Sequence, residues 1–301
     1  MNLFTTLLLA VVLAVSIRAD DAMILNQDPI GDNACGPCAL VNFLANSAER
    51  YRTAFEKAPG RTMEDKARWI VKEFGSKPSV VFENGPRYSE KVTYATKTPS
   101  GDNAPPSRNS GMQPSDLAAT ANDVAKALGL PGFESVPLDI AADETPETHL
   151  TRVHSRLKSS VEKGLPCIVS LRAFAPRPKN KEKADSELLY QDFAWEVVGG
   201  HYVVVTSVQS TLREGEAGFT FEFLDSATGK KGYGFANCEL KRDVPSKKYD
   251  GWLRFGGQHW HKSKTPYLLV TCPTLDLGSS DTRSRLRVNI VLNHALIPKR
   301  D

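Results

Sequence analysis

Residues 33–44 read "NACGPCALVNFL", and two chemistries compete for the Cys35-Gly36-Pro37-Cys38 core of that stretch. A C-x-x-C pair at the start of a helix is a dithiol redox motif when it stands inside a βαβ unit. A single Cys at a helix start, with a His and an Asp far downstream, is a nucleophile in waiting. Leu40, Val41, Phe43 and Leu44 recur at helical spacing, so Cys35 stands where a helix begins, and the pattern predicts that helix to about Phe55. The approach to Cys35, "LNQDPIGDNA" (residues 25–34), is polar and turn-forming, not the buried apolar strand that leads into a dithiol motif. The nucleophile reading is preferred, with the CxxC dithiol oxidoreductase kept as a rival.

A thiol protease site needs more than its sulfur. The thiolate attacks, so its surroundings must favour the negative form. A base must reach it, a third group must orient the base, and donors must await the oxyanion. The helix start supplies free N–H groups and the positive end of a dipole. His201 opens an apolar strand in "VVGGHYVVVTSV" (197–208), and Asp225 ends the next one in "FTFEFLDSATGKKG" (219–232). Adjacent strands would bring the two together. Gln27, upstream of Cys35, offers a side-chain amide. Singly each residue has a plain structural explanation: a strand-start His is more often structural, and a strand-end Asp usually forms a turn. Their joint order is far more specific.

That order resembles the papain-like cysteine peptidases, and within them the C39-like group. The blocks that carry the likeness are Gln27, "CGPCAL", "GGHYVVVTSV", "FLDSATG" and the stretch "EKGLPCIVSLR" (162–172). The resemblance implies Cys35 as nucleophile, His201 as base, Asp225 as orienter and Gln27 as oxyanion donor. It also implies a papain-like fold and a peptide or protein substrate. Two features depart from the family pattern: Gln27 stands eight positions before Cys35 (35 − 27 = 8), and Ser226 replaces the usual Pro after the Asp. Cys38 is followed by Ala39, not by the aromatic residue of the papain branch, so Cys35 is the preferred nucleophile. A non-catalytic peptide-binding relative is the alternative reading. Amidase and transpeptidase action stay open, since a triad does not choose its acceptor.

The rest of the chain sets the context. Of 301 residues, 41% are hydrophobic and 24% charged, as in an ordinary globular protein, and the net charge of +3 is too small to argue for a nucleic-acid partner. "LFTTLLLAVVLAVSI" (3–17) is too short to span a bilayer comfortably, and small Ala19 follows it. The expectation is a signal peptide over residues 1–19, a secreted or periplasmic protein over 20–301, and no stable membrane insertion after cleavage. Five Cys, an odd count, leave at least one thiol unpaired within the chain.

Helix signals dominate the first half: a capping box at Thr62 ahead of a helix closed by Gly75, a helix capped by Ser115, and another over about Pro146–Lys163. Two inserted loops are expected, a long surface loop at about 76–113 with room for a short hairpin and a second at about 175–190. Strand signals dominate the second half, including "LRVNIVLN" (286–293), read as half-buried. Helices first and antiparallel strands later predict an α+β fold, an N-terminal helical part packed on a C-terminal antiparallel sheet. No phosphate-binding loop or dinucleotide motif appears, so no cofactor is expected. The His259/His261 pair in "GQHWHKS" is read as a loop feature, so no metal is expected.

Overall fold

The computed structural model describes residues 22–83, 85–94, 107–141, 143–178, 193–237, 252–255, 258–261, 267–275 and 289–299. The expected signal peptide, Cys238 and most of the charged loop at 179–190 lie outside them. No helix among the described residues is long and apolar enough to cross a membrane.

The molecule is α+β: N-terminal helices packed against a six-stranded antiparallel barrel. Helix α1 (Cys35–Asn46) is the centrepiece. Every residue from Gly36 to Ala45 is buried, which is what a helix apolar on all sides requires. No side chain caps its N-terminus. The expected helix to Phe55 is in fact two, because Ser47 turns extended, donates its hydroxyl to the Phe43 carbonyl at 2.6 Å, and hands over to α2 (Glu49–Glu56). The Ala48 N–H is drawn to the Gly164 carbonyl at 2.8 Å, a tertiary pull that local periodicity does not reveal. Helix α3 (Met63–Ile70) starts at the expected Thr62 capping box, closed by Asp65, and widens into a π-helical turn over Val71–Gly75. Helix α4 (Pro114–Ala127) begins on Pro114 with Gln113 as N-cap, so Ser115 lies inside the helix.

The stretch expected as a surface loop at 76–113 carries its own structure. A bridge joins Pro78 to Pro86, and strands β1 (Tyr88–Tyr94) and β2 (Ser107–Met112) form a hairpin. Fully buried Asp116 on α4 anchors it by accepting from the Ser79 hydroxyl and the Val80 N–H, both at 2.7 Å.

Strand β3 (Phe133–Pro137) and helix α5 (Pro146–Val161) precede the barrel strands. These are β4 (Cys167–Pro178), β5 (Phe193–Val208), β6 (Gly218–Asp225), β7 (Lys230–Asn237), β10 (Leu269–Thr271) and β11 (Asn289–Pro298), with the short pair β8 (Trp252–Phe255) and β9 (Gln258–His261) beside β5. The closed order is β4-β5-β6-β7-β10-β11, with β11 returning to β4. Among the described residues each barrel strand pairs on both sides over at least part of its length. Strand β4 runs on to Pro178, four residues into the expected second loop.

Both faces of the barrel are covered. Val169, Leu171, Val203, Val205, Phe221, Phe223 and Leu292 form one apolar cluster with Leu150, Val153 and Leu157 of α5. Ile168, Tyr202, Val204, Leu224 and Leu296 alternate with them and pack in the cluster of α1. Strand β11, expected to be half-buried, is therefore buried on both sides from Val291 through Asn293 and from Ala295 through Pro298. Strand β7, with glycines that weaken its sequence signal, is explained by its neighbour. Gly232 and Gly234 stand opposite Phe223 and Phe221, whose rings occupy the space a Cβ would need.

Candidate active site

The site forms where α1 meets the middle of β5 and the end of β6; His201, expected to open its strand, lies inside β5, which starts at Phe193. Val203 pairs with Asp225, so His201, two residues earlier, reaches Asp225 diagonally across the strand pair. His201 Nε2 and Asp225 Oδ1 are 2.6 Å apart, and the two residues are 5% and 2% exposed. Removed from water, this pair interacts more strongly than a surface ion pair would.

Asp225 is held from both sides. Its Oδ1 also accepts from the Ala227 N–H at 2.9 Å, an Asx-turn, and its Oδ2 accepts from the Thr228 hydroxyl at 2.9 Å. Burial pushes the Asp225 carboxyl up, but the hydrogen bond and charge of His201, with the two turn donors, hold it below its ordinary value. Burial likewise pushes the His201 imidazolium down. The hydrogen bond to Asp225, then the hydrogen bond and charge of Cys35, outweigh burial and raise it to about 9. With Nε2 committed to Asp225, Nδ1 is the ring nitrogen left for the Cys35 sulfur.

Cys35 occupies the first position of α1 and is partly exposed. Cys38, three residues on, is 0% exposed. Burial, with the neighbouring Cys35 charge adding to it, pushes the Cys38 thiol up to about 12. At neutral pH it stays protonated and out of reach, so the two sulfurs of the C-x-x-C stretch are not equivalent.

Gln27 is 8% exposed and is stitched to the turn that follows Asp225. Its N–H donates to the Ser226 carbonyl at 2.8 Å, and its Oε1 accepts from the Ser226 hydroxyl at 3.2 Å. Its Nε2 donates to the Asp32 carbonyl at 2.8 Å in the loop leading to Cys35, leaving one amide hydrogen uncommitted. The structure thus joins Gln27, His201 and Asp225 through the 225–226 turn and brings His201 to Cys35. Ser226 supplies the stitch.

Some contributors had no readable signal. The Asn33 amide donates to the Glu90 carbonyl at 3.0 Å, and the Tyr88 hydroxyl donates to the Glu90 carboxylate, so the β1–β2 hairpin leans on the loop before Cys35. The Tyr202 hydroxyl donates to the Met112 carbonyl at 2.9 Å and holds the hairpin's other end to β5. Thr228 was legible in principle, since Asp followed by Ser and Thr is an Asx-turn pattern. No group of three or more His, Cys, Asp or Glu among the described residues could hold a metal. His259 and His261 lie on β9, with side chains outside the description. Comparison with protein-family models, with curated proteins and with solved structures finds no match for this chain.

Proposed function

We propose that this chain is a papain-like thiol hydrolase that cleaves amide bonds, peptide bonds first among them. The observation that carries the reading is the buried His201–Asp225 pair, 2.6 Å apart, with its free ring nitrogen facing a Cys at an uncapped helix N-terminus. The helix N-terminus and an imidazolium both favour a thiolate.

In the acylation step the Cys35 thiolate attacks the substrate carbonyl carbon, and its electron pair moves onto the carbonyl oxygen. The main-chain N–H of Cys35 and the uncommitted Gln27 amide hydrogen donate to that oxyanion. The imidazolium of His201 gives its Nδ1 proton to the leaving amine as the C–N bond breaks, leaving a thioester on Cys35. Neutral His201 then takes a proton from water, hydroxide attacks the thioester, and the thiolate departs with the imidazolium restored. Asp225 keeps the ring oriented and the imidazolium stable throughout. The dithiol reading is disfavoured because Cys38 is fully buried and its thiol is pushed up to about 12.

The test is a diverse peptide library incubated with the parent, Cys35→Ser and Cys38→Ala. Cleavage by the parent, its loss in Cys35→Ser and its near-full retention in Cys38→Ala are the expected results. Equal loss in both variants would restore the dithiol reading.

A further inference from the structure

The barrel face beside the site carries a cation that makes no ion pair among the described residues. Arg172 on β4 stands in register opposite Gly200 on β5, the residue before His201. Two positions along β4, Ser170 stands opposite Tyr202. Residues two apart on a strand share a face, so Arg172 shares the face of Tyr202. That is the face of the nucleophile: a Cβ on Gly36, next to Cys35, would lie 3.6 Å from the Tyr202 ring.

Gly200 is exposed, and a Cβ added to it would meet only the Leu171 carbonyl, at 3.6 Å, so an open strip of backbone runs up to His201. Arg172, half-buried, makes no hydrogen bond or ion pair among the described residues. Asp139 also forms no ion pair with it there, although the charges of both reach Tyr267 and His294. On the same face, His294 opposite Ser170 has a buried Nδ1 without a partner. A guanidinium withdrawn from water is costly unless an anion pairs with it, and its planar fork fits a carboxylate bidentately.

We propose that Arg172 is a specificity residue that binds a substrate carboxylate. The chain would pass over the open Gly200 backbone, dock an acidic group on Arg172, and present a nearby carbonyl to Cys35. Directly cross-strand neighbours are roughly 5 Å apart, so an acidic group beside the scissile bond lies within reach of an Arg side chain. The carboxylate has two sources, an Asp or Glu side chain or a free C-terminus. This inference rests on the hydrolase reading of the same site.

Two measurements test it. The first needs no turnover: Cys35 is alkylated with anionic iodoacetate and with neutral iodoacetamide in the parent, Arg172→Lys, Arg172→Gln and Arg172→Glu. The iodoacetate-to-iodoacetamide rate ratio should drop at least about threefold in Arg172→Gln, further in Arg172→Glu, and little in Arg172→Lys, with the parent's ratio falling in high salt. Iodoacetamide rates should stay level, which also reports an intact site. The second compares peptides matched except for Glu, Gln or Lys beside the scissile bond, each with a free or amidated C-terminus. The parent should favour a carboxylate by about tenfold, Arg172→Gln should lose the preference, and Arg172→Glu should favour Lys. Preference that follows the Glu side chain identifies one source, and preference lost on amidation the other. An unchanged alkylation ratio together with an unchanged preference overturns the proposal. If no peptide is cleaved, the hydrolase reading fails, and the alkylation ratio still decides whether Arg172 attracts anions to Cys35.

Discussion

Two histidines in this molecule are buried almost equally and behave in opposite ways. His201 at the α1–β5–β6 junction is 5% exposed, and His149 on α5 is 1% exposed. Each aims Nε2 at an oxygen, His201 at the Asp225 carboxylate at 2.6 Å and His149 at the Leu138 carbonyl at 2.8 Å. Burial pushes both imidazoliums down. For His149 burial wins over the carbonyl and the nearby carboxylates, and the ring is held below its ordinary value. For His201 a full negative charge and a neighbouring thiol win, and the value rises to about 9. Burial alone therefore does not make a catalytic base; the partner's formal charge does.

The comparison can be broken at its strongest point by His201→Ala. Turnover should fall roughly 10⁴-fold, the upper end of what positioned acid–base groups contribute. Cys35 alkylation should also shift to higher pH, since the imidazolium that favours the thiolate is gone. The pH dependence of the alkylation rate checks this, and an unchanged profile would show that the two residues are not partners.

Asp225→Asn makes His201 resemble His149 by replacing a charged acceptor with a neutral one. Turnover should fall on the order of 10²-fold. The alkaline limb of kcat/KM, set by loss of the imidazolium proton near pH 9 in the parent, should move toward the ordinary ~6.5 of a histidine. Stability should follow with a definite sign. A raised His201 stabilises the fold fully below ~6.5, and that contribution is lost as pH rises through about 9. The depressed Asp225 contributes above its ordinary ~3.9 and loses that contribution as pH falls through its folded value. Urea unfolding between pH 6.5 and 9 should slope downward in the parent and lie flat in Asp225→Asn. A matching slope in both would remove the charge argument.

His149→Gln sharpens the contrast from the other side. The amide can still donate to the Leu138 carbonyl, so the stability loss should be about 1 kcal/mol with the catalytic pH profile unmoved. A depressed His149 destabilises the fold once pH drops below its ordinary ~6.5, because the unfolded chain binds the proton more readily. The variant should lose that acid sensitivity. A shifted kcat/KM profile would mean that α5 belongs to the catalytic unit.

The site was legible because its residues interrupt strong patterns. Cys35 stands at the first turn of a helix that is mostly apolar, Asp225 ends the apolar strand β6, and His201 interrupts an apolar run inside β5. Tertiary structure decided the rest. Strand β11 was misjudged as half-buried because Asn293 looked solvent-facing, whereas its side chain is 3% exposed, with an Nδ2 that finds no partner among the described residues. Strand β3 gave little signal because Glu134 and Ser135 face outward on a five-residue strand. Strand β7 reads as poor strand material until the rings of Phe221 and Phe223 are laid over its glycines. Barrel closure joins segments far apart in sequence, and no local pattern encodes that pairing. Arg172 drew no notice because an Arg among β-branched residues reads as an ordinary outward-facing position.

The closure of the barrel also sets the order in which the candidate site is assembled. His201 follows Cys35 by 166 residues (201 − 35 = 166), and Asp225 follows it by 190 (225 − 35 = 190). The strand that pairs with both β4 and β10, β11, starts another 64 residues later (289 − 225 = 64). Such long-range pairings form slowly, after local helices. A growing chain thus carries Cys35 long before His201 and Asp225 have been made. On the proposed reading, Cys35 gains its partners only once the barrel strands have paired.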